Sequence, residues 1–245
     1  MEGTYERLPS EAMGRDVHVW RYGWWGVPVL VFPSAAGFAH EWQKEGMIDA
    51  LEPFLRAGKV KLYCPESNVS EAFTKAGSGA EKIAKHQQYE RFILQTMVPA
   101  IRRDCNLPNV RIATVGCSLG GLYAALFALK HPETFDRALC MSGRYEISQF
   151  LGGYNGPEVY FDNPLHFVPN LTGEALARVR QTHLTMVCGT GKWEEGCIEE
   201  TIALCDVFRE KGIPHIRDIW GSESAHHWSW WKKQTTFHFA RMFGG

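Results

Sequence analysis

The chain alternates between short, dense apolar runs and longer stretches in which apolar and polar residues recur every three or four positions. Val29-Leu30-Val31-Phe32 is one such run, too short for a helix and unbroken by polar residues, so it reads as a strand buried on both faces. Shorter apolar-rich stretches mark strands at 60–67, 110–115, 136–143 and 183–190, and HIRDIWG (215–221) is placed as the last strand. Near the start, 4–9 and 15–23 alternate in polarity, with Val17 and Val19 set against His18 and Trp20, and suit an opening antiparallel pair. Helical spacing predicts helices over 39–57, 122–130, 173–180 and 197–212, and another from His227 to the end. Ile83, Tyr89, Phe92, Ile93, Met97 and Ile101 predict a long helix over 81–105, kinked at Pro99. The small polar stretch 68–80 reads as a mobile surface loop. Residues 144–172, aromatic and rich in glycine and proline, read as a lid or cap. Strands alternating with helices predict the α/β class, with a mainly parallel central sheet and helices on both faces. No linker divides the chain, which is expected to form a single domain over 1–245.

The chemistry is concentrated in 109–130, NVRIATVGCSLGGLYAALFALK. A β-branched strand runs into Gly116-Cys117-Ser118-Leu119-Gly120 and then into strong helix formers, the strand–turn–helix context in which Gly-x-Ser-x-Gly builds a nucleophile elbow. A serine hydroxyl is a weak nucleophile until a base takes its proton, so it must project from a sharp turn within reach of a histidine. A serine site on such a sheet follows the chain order Ser, Asp or Glu, His, each after a strand. The loop after strand 183–190 offers Glu194, with Glu195 as the alternative acid; either could instead serve as the acidic start of the next helix. The loop after the last strand offers His226 as the base, with His227 beside it. Oxyanion donors are expected at the Leu119 amide and, from the loop after Phe32, at Ala35, with Ser34 the next choice. Cys117, one residue before the apex, reads as core. Trp228, Trp230, Trp231, Phe237 and Phe239 could line a pocket, but their helical spacing favours packing.

Composition narrows the alternatives. A net charge of −1 gives no electrostatic reason to bind nucleic acid or an anionic membrane. No apolar run reaches the roughly 18–20 residues of a membrane span, and the polar opening MEGTYERLPSEAMGRD lacks the apolar core of a signal peptide. Seven cysteines, an odd number with no CxxC pair, favour free thiols and a cytoplasmic setting over a disulfide framework. Cys188 and Cys197 flank one loop and are the single pair worth checking. No metal and no organic cofactor is expected, since no HExxH-type spacing accompanies the adjacent histidines.

GCSLGGLYAALFALKHPETFDRALCMSG resembles the elbow block of the esterase D-like branch of α/β-hydrolases, a branch that includes S-formylglutathione hydrolase, feruloyl esterases and mycolyltransferases. GRDVHVWRYGWWGVPVLVFPSAAG resembles the start of these domains. VYFDNPLHFVPNL and KGIPHIRDIWGSESAHHWSWW resemble a compact bacterial subgroup. The resemblance runs from about residue 15 to the end. It implies the α/β-hydrolase fold, Ser118 as nucleophile, His226 as base and a Gly-x-x-acid pattern from Gly191 to Glu194. His227 stands where the subgroup usually has aspartate, and glutamate replaces the commoner aspartate at the acid. The expected activity is hydrolysis of a small-molecule carboxylic ester through an acyl-enzyme. Transfer of the acyl group to another acceptor is the alternative, and a non-catalytic binding protein on the same fold is a third reading.

Overall fold

The computed structural model describes residues 1–244. Its strands are β1 (Thr4–Ser10), β2 (Arg15–Tyr22), β3 (Val27–Phe32), β4 (Val60–Pro65), β5 (Ile112–Cys117), β6 (Phe135–Met141), β7 (His183–Cys188) and β8 (His215–Ile219). They form one sheet in the order β1-β2-β4-β3-β5-β6-β7-β8. β1 and β2 pair antiparallel, as do β2 and β4, while every pair from β3–β4 to β7–β8 is parallel. The opening strands are thus the antiparallel edge that their alternation predicts. From β3 the chain goes to β4 on one side and returns to β5 on the other. That reversal opens a crevice at the carboxyl ends of β3 and β5, where sites in such sheets are built.

The period of two along each strand divides the core between the two faces. Leu30 and Phe32 of β3, Ala138 and Cys140 of β6, and Leu184 and Met186 of β7 pack on one face. That face is covered by α3 (Gly79–Phe92), α4 (Val98–Asp104), α5 (Leu119–Lys130) and α8 (Cys197–Lys211), together with the short α6 (Pro164–Phe167) and α7 (Gly173–Val179). Val29 and Val31, Ala113 and Val115, and Leu139 and Met141 face the other way, toward α1 (Glu41–Lys44), α2 (Met47–Arg56) and α9 (Trp228–Phe243). Leu119 through Leu129 are all buried, so α5 is a helix surrounded by protein, and its even hydrophobicity follows from that. Phe127 stacks on Phe32 with ring centroids 4.9 Å apart and meets Phe135 edge-on at 5.7 Å. Truncating such a phenylalanine costs about 3–5 kcal/mol.

Three expectations need correction. The helix over 39–57 is two helices, because Gly46 takes a left-handed φ of 74° between α1 and α2. The loop 68–80 is partly core: Ser70–Thr74 forms a π-helical turn that buries Ala72 and Phe73, and α3 begins at Gly79 with a Ser78–Glu81 capping box. The expected long helix is interrupted by a π-helical turn just before Pro99. The Pro99 ring cannot donate to the carbonyl four residues back, and the turn over Ile93–Met97, closed by the Val98 amide on the Ile93 carbonyl, widens the helix just before it. Residues 144–172 form short 3₁₀ turns and α6, and Tyr145, Ile147, Leu151, Val159, Phe167 and Val168 are buried in the main core. Among the described residues no helix is long and apolar enough to cross a membrane.

Candidate active site

Ser118 sits between β5 and α5 with φ 57° and ψ −128°, a conformation that costs a non-glycine residue about 1–3 kcal/mol. Its amide donates to the Met141 carbonyl at 2.9 Å, and its carbonyl accepts from Gly121 at 2.9 Å. A Cβ on Gly116 would lie 2.2 Å from the Gly120 carbonyl oxygen, and one on Gly120 would lie 2.5 Å from that of Phe32. Neither position tolerates a side chain. The same contact sets the first turn of α5 against the backbone that follows β3.

His226 approaches from the loop after β8. Its Nε2 lies 3.0 Å from Ser118 Oγ and its Nδ1 lies 3.2 Å from Glu194 Oε2. With the proton on Nδ1, the imidazole donates to the carboxylate and accepts from the serine. The ring stands edge-on to Trp231, centroids 4.8 Å apart, and the His226 amide donates to the Lys192 carbonyl at 3.0 Å. The acid loop and the histidine loop meet backbone to backbone: Gly191 N–H donates to the Ser224 carbonyl at 2.9 Å. A Cβ on Gly189 would lie only 1.8 Å from that same oxygen.

Glu194 is 1% exposed and accepts three donors. They are His226 Nδ1, the Ser142 hydroxyl at 2.6 Å and the Cys188 thiol at 3.4 Å. Ser142 also accepts from Trp231 Nε1 at 3.0 Å. A buried carboxylate persists only when its oxygens are satisfied in this way. Glu195, the alternative, lies exposed beyond the turn. The acidic start of α8 is made by Glu199 and Glu200. His227 is also accounted for: it caps α9, its Nδ1 accepting from the Ser229 amide at 3.2 Å.

At the oxyanion position, Leu119 opens α5 and its N–H has no carbonyl within the helix to bond. Across from it, Ser34 is tied down, its amide and hydroxyl each donating to the Glu41 carboxylate at 2.6 Å. That occupies the Ser34 amide and leaves Ala35 as the loop's candidate. Glu41 is 6% exposed; burial pushes its carboxyl up, against the two Ser34 hydrogen bonds that pull it down.

Sequence reasoning missed Ser142, Glu41 and Glu200. Glu200 accepts the Tyr145 and Glu146 amides and pairs with Arg144 at 2.6 Å, pinning the start of 144–172 to α8. Ser142 carried a weak signal, a small hydroxyl at the carboxyl end of the strand beside the nucleophile's. Cys117 is fully buried, and burial pushes its thiol well up, so it packs and does not react. All seven cysteines are free, Cys188 and Cys197 included. Of the C-terminal aromatics, Trp231 and Phe239 lie in the core, whereas Phe237 is 45% exposed.

A family model described as Putative esterase matches residues 10–240. No curated protein matches the sequence. Among solved structures, a ferulic acid esterase superposes with a TM-score of 0.76 at 16% identity, covering 99% of this chain and 98% of its own. An S-formylglutathione hydrolase from Staphylococcus aureus gives 0.75 at 14%, covering 99% and 96%. A fluorophosphonate-binding serine hydrolase from the same organism gives 0.74 at 14%, covering 99% of each.

Proposed function

The chain belongs to the Putative esterase family, and we propose that it cleaves its ester through a Ser118–His226–Glu194 triad and an acyl-enzyme. The fold is that of the α/β-hydrolases and the activity is carboxylic-ester hydrolysis on small-molecule esters. The observation that carries the triad is the bridging imidazole, 3.0 Å from Ser118 on one nitrogen and 3.2 Å from Glu194 on the other.

In this reading Ser118 Oγ attacks the ester carbonyl while His226 Nε2 takes its proton. Glu194 holds the proton on Nδ1 and stabilises the imidazolium that forms. The tetrahedral oxyanion rests on the Leu119 and Ala35 amides, each worth about 2.7–4 kcal/mol in such a role. His226 then gives its proton to the departing alkoxide, leaving the acyl group on Ser118. Water, deprotonated by His226, repeats the sequence and releases the acid. The Glu41 clamp on Ser34 holds the second donor's loop in place before substrate arrives. Residues 144–172 act as a fixed wall beside the site, since Glu200 and the core hold them at both ends.

A fluorophosphonate probe tests the nucleophile directly. The wild-type chain should label once, at Ser118, and Ser118→Ala should lose both labelling and turnover of p-nitrophenyl acetate. Labelling or turnover retained by folded Ser118→Ala refutes the proposal.

A further inference from the structure

Among the described residues two groups of three potential metal-binding side chains bring their ligand atoms within 4.8 Å of one another. In the group His86, Glu90 and Asp162 the space is already taken by the Lys130 ammonium, which pairs with both carboxylates. The other group is Glu194, Cys197 and His226, and no cation of the protein fills it.

We propose that Glu194, Cys197 and His226 form a binding site for a soft divalent cation, of the zinc and cadmium type, whose occupancy switches the enzyme off. The proposal rests on the triad reading for its effect on activity, and on geometry alone for binding. A thiol, an imidazole and a carboxylate are the ligand types such an ion takes, at about 2.0–2.3 Å. A tetrahedron with those bonds has edges of about 3.3–3.8 Å. Here His226 Nδ1 lies 3.2 Å from Glu194 Oε2 and 4.0 Å from Cys197 Sγ, and all three ligand atoms lie within 4.8 Å of one another, so shifts of up to about an ångström would seat the ion. Cys197 opens α8 only three residues after Glu194, so both ligands come from one turn of chain. His226 is 20% exposed, which leaves a way in from solvent. Three protein ligands leave a fourth position for water.

Charge and protons balance. The divalent cation displaces the Cys197 thiol proton, which leaves as one H⁺ per ion, and the thiolate and the Glu194 carboxylate together neutralise it. A neutral assembly is what a buried site favours. On His226 the ion takes Nδ1, the nitrogen that otherwise carries the proton, and the neutral ring then carries its proton on Nε2. That nitrogen faces Ser118. It can no longer accept the serine proton, and attack stops. Inhibition comes from the tautomer, with the serine left in place.

Cadmium chloride added to metal-free enzyme tests this, read by the ultraviolet thiolate-to-cadmium absorption band and by ester turnover in parallel. The expected result is one ion per chain, activity lost in step with the band, and full recovery with EDTA. Cys197→Ser should abolish the band, since Cys197 is the site's one thiol, and raise the inhibitory concentration at least about tenfold. If that variant fails to fold, Cys197→Ala and His226→Ala, followed by the band alone, give the same comparison. Ser118→Ala should bind cadmium as the wild type does. A band that survives both losses, or an inhibition unchanged in the Cys197 variant, overturns the site and places the ion at another thiol, such as the partly exposed Cys105. Activity in Ser118→Ala would instead refute the triad while leaving the binding result standing.

Discussion

Replacing Glu194 by glutamine removes one charge and almost no volume, and the surroundings decide how much that matters. The carboxylate is met by three donors and no acceptor: His226 Nδ1 at 3.2 Å, Ser142 Oγ at 2.6 Å and Cys188 Sγ at 3.4 Å. A glutamine brings two donor hydrogens into that set, and they must face something. Turned toward His226, the amide makes Nδ1 the acceptor and forces the proton onto Nε2, so Ser118 loses its base. Turned toward Ser142, it meets a hydroxyl that already accepts from Trp231 Nε1 at 3.0 Å. That hydroxyl then has nowhere to send its own hydrogen, at a cost of about 1–3 kcal/mol for a buried unmet group. The first orientation is therefore favoured, and it is the inactive one. We expect kcat to fall by about 10²–10⁴, or about 3–5.5 kcal/mol at 1.36 kcal/mol per decade, with KM little changed. Glu195→Gln, made at an exposed position, should stay within about twofold of wild type. Both are read from initial rates on p-nitrophenyl acetate at fixed pH, with circular dichroism to confirm folding. If Glu195→Gln is the crippled variant, or Glu194→Gln keeps more than about a third of wild-type kcat, the assignment of the acid is wrong.

Ser142→Ala removes the donor that fixes Glu194 and strands the Trp231 indole N–H; kcat should drop about ten- to a hundredfold with KM unchanged, and a rise in KM alone would refute a positioning role. Asp162 is 1% exposed, and its carboxyl is held below the usual range because His86 and Lys130 together outweigh the burial that pushes it up. Asp162→Asn should cost about 3 kcal/mol, a Tm lowered by about 6–12 °C at pH 7. Because the folded-state value is depressed, this stabilisation is present above the unfolded value near pH 4 and is lost on acidification, so the gap in Tm must narrow below about pH 4; a gap independent of pH refutes the account.

The central strand positions were legible because their apolar runs are buried on both faces and so carry no competing polar demand. Val29 and Val31 face one core while Leu30 and Phe32 face the other, and an unbroken run is the only pattern that serves both. The positions of the proposed triad were legible for a different reason. A nucleophile elbow needs Gly116 and Gly120 where a Cβ would strike backbone, and chain order then confines the acid and the base to two loops. Chain order alone favoured Glu194 while keeping Glu195 open, because the local geometry includes Trp193 at φ 67° just before position 194, which no neighbour-by-neighbour rule for tryptophan anticipates. Ser142, Glu41 and Glu200 were illegible for a related reason. The partners of Ser142 and Glu200 lie 52 and 55 residues away and that of Glu41 lies across a loop seven residues back, and a polar residue serving a partner outside its own helical turn or strand carries no local signature. The break at Gly46 and the buried π-helical turn at Ser70–Thr74 were lost to composition, since a small polar stretch looks alike whether it packs or floats.

The distribution of backbone strain sets the candidate site apart from the rest of the fold. Among the described residues, four other than glycine take a left-handed φ: Asn106, Ser118, Ser142 and Trp193. Asn106 is a residue type that tolerates it, in a turn after α4. The other three are the proposed nucleophile Ser118, Ser142, which donates to Glu194, and Trp193, just before Glu194. Glycine would relieve the strain at each, but at 118 and 142 it would also delete the hydroxyl that makes a contact in the triad. Strain of about 1–3 kcal/mol at each position must therefore be held by neighbouring contacts. Those contacts are on hand: Ser118 N–H on the Met141 carbonyl, Ser142 N–H on the Val187 carbonyl, and the Gly191–Ser224 bond beside Trp193. Each comes from an adjacent strand or loop at the carboxyl end of the sheet. The central strands thus hold, through ordinary backbone bonds, three turns that none of these side chains would adopt alone. A loosening of β6 or β7 would therefore degrade Ser118 and Glu194 together, so activity should fall before the helices melt.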